Sequence, residues 1–268
     1  MKSIDYPIVM GILNVTEDSF FDGGRYRTDA AVLKRAEQIL LEGAAIIDIG
    51  AVSTRPGAAD VSAEEEWTRL QPALQQILRE FPAAVISIDT WRAEVARRSV
   101  ENGAAIINDI SGGTFDAAMP EVVAHAKVPY VMMHTTAKPA QMQLQTVSGD
   151  LWEAVFSFFD RQLAVFRAAG ANDIILDPGF GFGKTLEQNY QLMNGLEKFQ
   201  KYELPVLVGI SRKSMLYKLL ETNPDGALNG TTILNTVALM KGADILRVHD
   251  VKESVEAVKI VKQLKTEN

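Results

Sequence analysis

Asp89, Asn108, Asp177 and Lys213 each stand at or just past the end of a short apolar run. Together they offer two carboxylate acceptors, an amide that both donates and accepts, and an ammonium donor. That set suits a flat, nitrogen-rich ring with amino, N–H and carbonyl edges. Burying it is costly unless a ligand pairs it. A second set is cationic: Arg55 in STRPG, Arg247 and His249, with Asn14 grouped beside them. Cations and an amide oxygen suit a di-anionic or pyrophosphate group with Mg2+ as its companion.

A third stretch, DPGFGFGKT at 177–185, imitates a phosphate-cradling P-loop. The spacing excludes one. The glycine that the motif needs five residues before Gly183 is Pro178, which has no N–H to offer. These glycines therefore serve a tight turn after Asp177, and Lys184 reads as an ordinary exposed lysine at a helix start.

The elements that must position these groups repeat one theme. Runs rich in Ile, Val and Leu cover 7–13, 45–50, 84–89, 104–109, 129–134, 173–178, 205–210 and 244–249. Continuous apolar runs of this length suit parallel strands covered on both faces. Between them lie helical stretches at 29–42, from a Ser62/Glu65 capping box to about 80, at 92–102, at 151–169 and at 253–265. Eight strands alternating with helices predict a (β/α)8 barrel, one domain over 1–268, with a doubly wound open sheet as the alternative. Active sites of such barrels lie where strands end, and every run here ends in a polar or ionisable residue. The 268 residues carry 47% hydrophobic and 23% charged side chains, no cysteine and a formal net charge of −7. That composition excludes thiolate chemistry and argues against general nucleic-acid binding. No apolar run approaches a membrane span, and the reading is a cytoplasmic protein without nucleic-acid or membrane partners.

The blocks MGILNVTEDSFFDGG, STRPGA, SIDTWR, INDISGG, LDPGFGFGKT, GISRKS and RVHDV, in this order from Met10 to Val251, resemble those of the dihydropteroate synthases. The resemblance implies a (β/α)8 barrel and an alkyl-transferring enzyme. Enzymes of that family join a dihydropterin methyl diphosphate to p-aminobenzoate, release pyrophosphate and make dihydropteroate for folate biosynthesis, and the resemblance implies the same here. It implies that Asp89, Asn108, Met133, Asp177 and Lys213 bind the pterin. Thr54, Arg55, Pro56, Phe182 and Ser214 would take p-aminobenzoate, with Lys213 also lining that side. Asn14, Arg55, Arg247 and His249 would hold pyrophosphate, Asn14 through Mg2+. Arg55, Lys213 and Asp89 would carry the catalysis. It implies a homodimer and, with no Phe-Gly insertion after Phe182, competition by sulfonamides.

Several loop residues depart from the family pattern. Glu17 and Phe21 alter the first loop and Ala51-Val52 the second, and Thr135-Thr136 stand in a loop that usually carries an arginine. These leave a non-catalytic pterin-binding paralogue as one alternative. A pterin-dependent corrinoid methyltransferase is another, against which the STRPG loop and the Arg247/His249 pair argue. His134 reads as a loop-orienting residue, Asp48 and Asp109 as structural carboxylates bonding loop amides, and Phe156, Phe158 and Phe159 as core or subunit interface. A Schiff-base role for Lys213 is disfavoured by its neighbours Arg212 and Ser214.

Overall fold

The computed structural model describes residues 5–15, 25–52, 61–138, 141 and 145–266. Strands and helices alternate: β1 Ile8–Asn14, α1 Arg25–Leu41, β2 Ile46–Gly50, α2 Ala63–Glu80, β3 Ile86–Asp89, α3 Ala93–Glu101, β4 Ile106–Asp109, α4 Met119–Ala126, β5 Tyr130–Met133, α5 Leu151–Ala169, β6 Ile174–Asp177, α6 Leu186–Asn194, β7 Leu207–Val208, α7 Ser214–Tyr217, α8 Leu228–Met240, β8 Ile245–Val248 and α9 Val251–Thr266. All eight apolar runs are strands. They pair in parallel in the order β6-β5-β4-β3-β2-β1-β8-β7. A bridge between Leu176 and Val206 joins β6 to β7 and brings the barrel close to closure. The run at 205–210 shortens to two residues because that single bridge and a short ladder to β8 are all that pair it.

The helices follow the local signals. Ser62 caps α2, accepting from the Glu65 N–H while the Glu65 carboxylate accepts from the Ser62 N–H. Helix α5 begins behind Asp150, whose carboxylate accepts from the Glu153 N–H, and ends at Gly170. Helix α1 begins four residues before the predicted 29, at Arg25, since nothing in that turn breaks a helix.

Strand periodicity sets the site. Met10, Ile46, Ile106, Val131, Ile175, Leu207 and Ile245 fill the barrel interior, each 2% exposed or less. Successive side chains alternate between barrel and helix layer, so the next residue to face inward lies two positions on. From that apolar plug the inward positions become Asp48, Asn108, Met133, Asp177, Gly209 and Arg247. A polar ring thus sits directly on an apolar floor. The alternate residues, among them Ile47, Ile49, Ile88, Ile107, Leu176 and Leu246, bury against the helices.

Candidate active site

The polar ring is a connected network rather than two groups. Asp48, fully buried, accepts from the Ser87 hydroxyl at 2.6 Å, the Asn108 amide at 3.1 Å and Arg247 Nε at 2.7 Å. Arg247 Nη2 also donates to Asp89 Oδ2 at 2.7 Å. Strand register explains the meeting. Asp48 pairs with Ser87 and Asp89 with Asn108 on neighbouring strands, while Arg247 reaches across from β8. So Arg247, expected with the pyrophosphate set, is bonded to Asp89 of the ring set. Asp48 bonds strand-end side chains, not the loop amides expected of it. Asp109 does bond loop amides, those of Ser111 and Gly113, together with the Tyr130 hydroxyl. Burial, opposed by Arg247 and reinforced by the Asp48 charge, pushes the Asp89 carboxyl up to about 7.

Across the barrel mouth, Asp177 ends β6 and is 5% exposed. Its Oδ1 accepts from the Gly179 N–H at 2.8 Å. Burial raises its pKa, and the Lys213 cation opposes that rise. Lys213 Nζ donates to the Phe180 carbonyl at 2.6 Å and lies 4.6 Å from the centre of the Phe182 ring. Burial lowers its pKa to about 8, with the Asp177 carboxylate pulling the other way. Gly209, with no side chain, leaves room there: a Cβ on it would stand 3.8 Å from Arg247 Cβ and 3.9 Å from Lys213 Nζ.

The turn after Asp177 needs its glycines. Gly179 has φ +71°, and a Cβ there would collide with the His134 carbonyl oxygen. Gly183, at φ +60°, packs the same way under Thr136. Lys184 is not the exposed lysine the sequence suggested. It is 7% exposed, and Nζ contacts the Gly179 carbonyl at 2.8 Å, the Phe182 carbonyl at 3.0 Å and His134 Nδ1 at 2.9 Å. Burial brings its pKa down to about 7. His134, the first residue after β5, supplies one of the three partners that let a lysine be buried here.

His249 is exposed at the rim. Its Nδ1 lies 3.1 Å from Ser211 Oγ, which also accepts from the His249 N–H. Partial burial, then the Arg247 charge, holds the imidazole below the usual histidine range, and water at the rim softens that push. Ser214 opens α7 beside Lys213, and Met133 ends β5 at 3% exposure, its register partner being Asp177. Asn14 ends β1 with an exposed side chain. Its Oδ1 and Asp89 Oδ2 each lie 3.6 Å from where a Cβ on Gly50 would stand. Thr54, Arg55 and Pro56 lie outside the described residues, as do Glu17 and Phe21. Phe158 and Phe159 are buried core, at 6% and 0%.

Among the described residues no group of three or more His, Asp or Glu could hold a metal ion by itself. One amide oxygen, Asn14 Oδ1, fits a hard cation that takes its other ligands from a diphosphate and water. The site can therefore grip a flat heterocycle between Asp89, Asn108, Asp177 and Lys213, with Arg247 at its anionic end. Three participants escaped the sequence reading in these roles: Asp48, Ser87 and Lys184. For the first two a signal existed, since both lie at inward strand positions; for Lys184 none did.

The family described as pterin binding enzyme matches residues 10–249. The dihydropteroate synthase of Escherichia coli (strain K12) is 45% identical over 260 residues, covering 96% of this chain and 92% of that protein. Among solved structures, the Yersinia pestis dihydropteroate synthase with a sulfonamide drug superposes with a TM-score of 0.91 at 43% identity, covering 97% of this chain and 95% of that one. The Xanthomonas albilineans dihydropteroate synthase with 4-aminobenzoic acid superposes at 0.90 and 36% identity, covering 97% and 94%.

Proposed function

We propose how the residues of this barrel divide the work from the premise that the chain belongs to the dihydropteroate synthase family. The enzyme is a transferase. It condenses 6-hydroxymethyl-7,8-dihydropterin diphosphate with p-aminobenzoate to give 7,8-dihydropteroate, pyrophosphate and a proton. The observation that carries the division of labour is Arg247, bonded to both Asp48 and Asp89 at the barrel mouth.

Asp89, Asn108 and Asp177 accept from or donate to the pterin amino, N–H and amide edges, Lys213 donates to its carbonyl, and Met133 packs on the ring. The ring then replaces part of the network that satisfies these groups in the free protein. Arg247 and His249, with Arg55, meet the diphosphate. The C–O bond to the pterin methylene breaks as charge builds on the departing oxygen, and the two guanidinium cations, with the neutral His249 imidazole as a hydrogen-bond donor, stabilise it. The aniline nitrogen of p-aminobenzoate, held by Thr54, Arg55, Pro56, Phe182 and Ser214, forms the new C–N bond and loses its proton. A weak nucleophile suffices when it is held next to that carbon. Asn14 would hold Mg2+, which when bound would further neutralise the diphosphate charge.

No helix among the described residues is long and apolar enough to cross a membrane. A cytoplasmic location is supported by a cysteine-free sequence. A homodimer is supported by the exposed Ile233 and Met240 on α8 and Ile260 and Leu264 on α9, helices that pack side by side. Pyrophosphate release from the dihydropterin diphosphate with Mg2+, measured with and without p-aminobenzoate, tests the reading. Release must depend on p-aminobenzoate; pterin binding without it would leave a binding protein.

A further inference from the structure

The lysine in the sequence GKT is buried behind the site, and the reaction as described gives it no task. Its ammonium has three N–H donors, and three acceptors surround it: the carbonyls of Gly179 and Phe182 and Nδ1 of His134. Burial holds His134 in its neutral form, and in the tautomer protonated at Nε2 its Nδ1 accepts from Lys184. The turn at 179–182 is thus bracketed by two lysines. Lys213 takes the Phe180 carbonyl from the barrel side, while Lys184 takes the carbonyls on either side of it from the rear.

The rear anchor is tied to the loop after β5. His134 N–H donates to the Asp177 carbonyl at 3.0 Å, Val147 N–H to the Gly183 carbonyl at 2.9 Å, and Gln188 Nε2 to the Val147 carbonyl at 2.8 Å. Thr136 packs onto Gly183, in the loop where the family usually carries an arginine. His134, Thr136 and Val147 meet the turn at 179–183 as one wall, and the Lys184 amine lies inside it.

We propose that Lys184 is a positioning residue that fixes the turn at 179–182, and with it the Phe182 ring, while Lys213 leaves the Phe180 carbonyl to serve the substrate. The inference rests on the functional reading above, in which Lys213 donates to the pterin and Phe182 faces p-aminobenzoate. The backbone of Asp177 is held by the β5–β6 ladder, and the Lys184 charge is the last of the influences on its carboxyl, so Asp177 depends on this clamp far less than the turn at 179–182 does. The effect of losing Lys184 therefore falls mainly on one substrate.

The test is Lys184→Met, which keeps the stem length and removes the donors. Folding is checked by circular dichroism, with Lys184→Gln as the second variant if the first does not fold. The expected result is a KM for p-aminobenzoate raised about tenfold with the Kd for dihydropterin diphosphate within about threefold of wild type, since small misplacements of positioning groups cost that much or more. His134→Leu, which removes one of three acceptors, should shift the same KM in the same direction by less. An unchanged KM for p-aminobenzoate overturns the proposal. So does an equal change in both substrates, which is what general loosening of the barrel would give. Wild type that releases no pyrophosphate in response to p-aminobenzoate would instead refute the function.

Discussion

Replacing Asp89 with asparagine separates the stability of the empty site from its affinity for ligand. In the folded protein the Asp89 carboxyl binds its proton up to about pH 7, against 3.8 for the unperturbed group, because burial outweighs the pull of Arg247. Between those values the folded state holds more protons than the unfolded one, so stability falls as pH rises through the window. Three units at about 1.36 kcal/mol each give roughly 4 kcal/mol. The side chain keeps 15% of its surface exposed at the barrel mouth, so water offsets part of that cost and we take about 2 kcal/mol. Asparagine does not titrate, and its oxygen still accepts from Arg247. Asp89→Asn should therefore gain on wild type by about 2 kcal/mol as pH rises from 3.8 to about 7, or roughly 4–8 °C in Tm for a chain of this size. The assay is thermal unfolding of both proteins across that range, read as the change in their difference. Calorimetry should show pterin affinity falling about 100-fold in the same variant, from the loss of charge-assisted bonds. A Tm difference that stays flat with pH refutes the argument about Asp89 ionisation. Retained pterin affinity refutes its place in the pocket.

Arg247→Met leaves Asp48 and Asp89 without their shared cation and should cost about 3 kcal/mol in urea unfolding at neutral pH; an unchanged midpoint would mean the pairing contributes nothing. Gly179→Ala forces a Cβ toward the His134 carbonyl at φ +71° and should cost about 2 kcal/mol or more, read in the same assay. The free enzyme needs Asp89 ionised, with a pKa of about 7, and Lys213 charged, with a pKa of about 8. The kcat/KM for the dihydropterin diphosphate should therefore peak between those values. Since the groups interact, both limbs belong to the pair, and a profile flat from about pH 6 to 9 would contradict the assignment. Arg55→Ala should lower turnover far more than pterin affinity in steady-state kinetics and calorimetry; equal losses would remove Arg55 from the p-aminobenzoate side.

The sequence alone determined the strands, because each buried strand must be a short continuous apolar run and each such run here formed one. It also determined which residues reach the mouth of the barrel, since the two-residue alternation carries Ile46 to Asp48, Ile106 to Asn108, Ile175 to Asp177 and Ile245 to Arg247. Barrel topology then puts strand ends on one rim, so the placement of Asp89, Asn108, Asp177 and Lys213 there was legible before any coordinates. The partners were not. Arg247 lies 199 residues from Asp48 and 158 from Asp89, and the bonds among them depend on side-chain reach across a nearly closed barrel, which no local pattern encodes. The helix start beside Lys184 was likewise legible, and Thr185 caps it. The burial of Lys184 was not, because a lysine before a helix is exposed unless another segment covers it. His134, just after β5, meets it only once the barrel has brought β5 and β6 side by side.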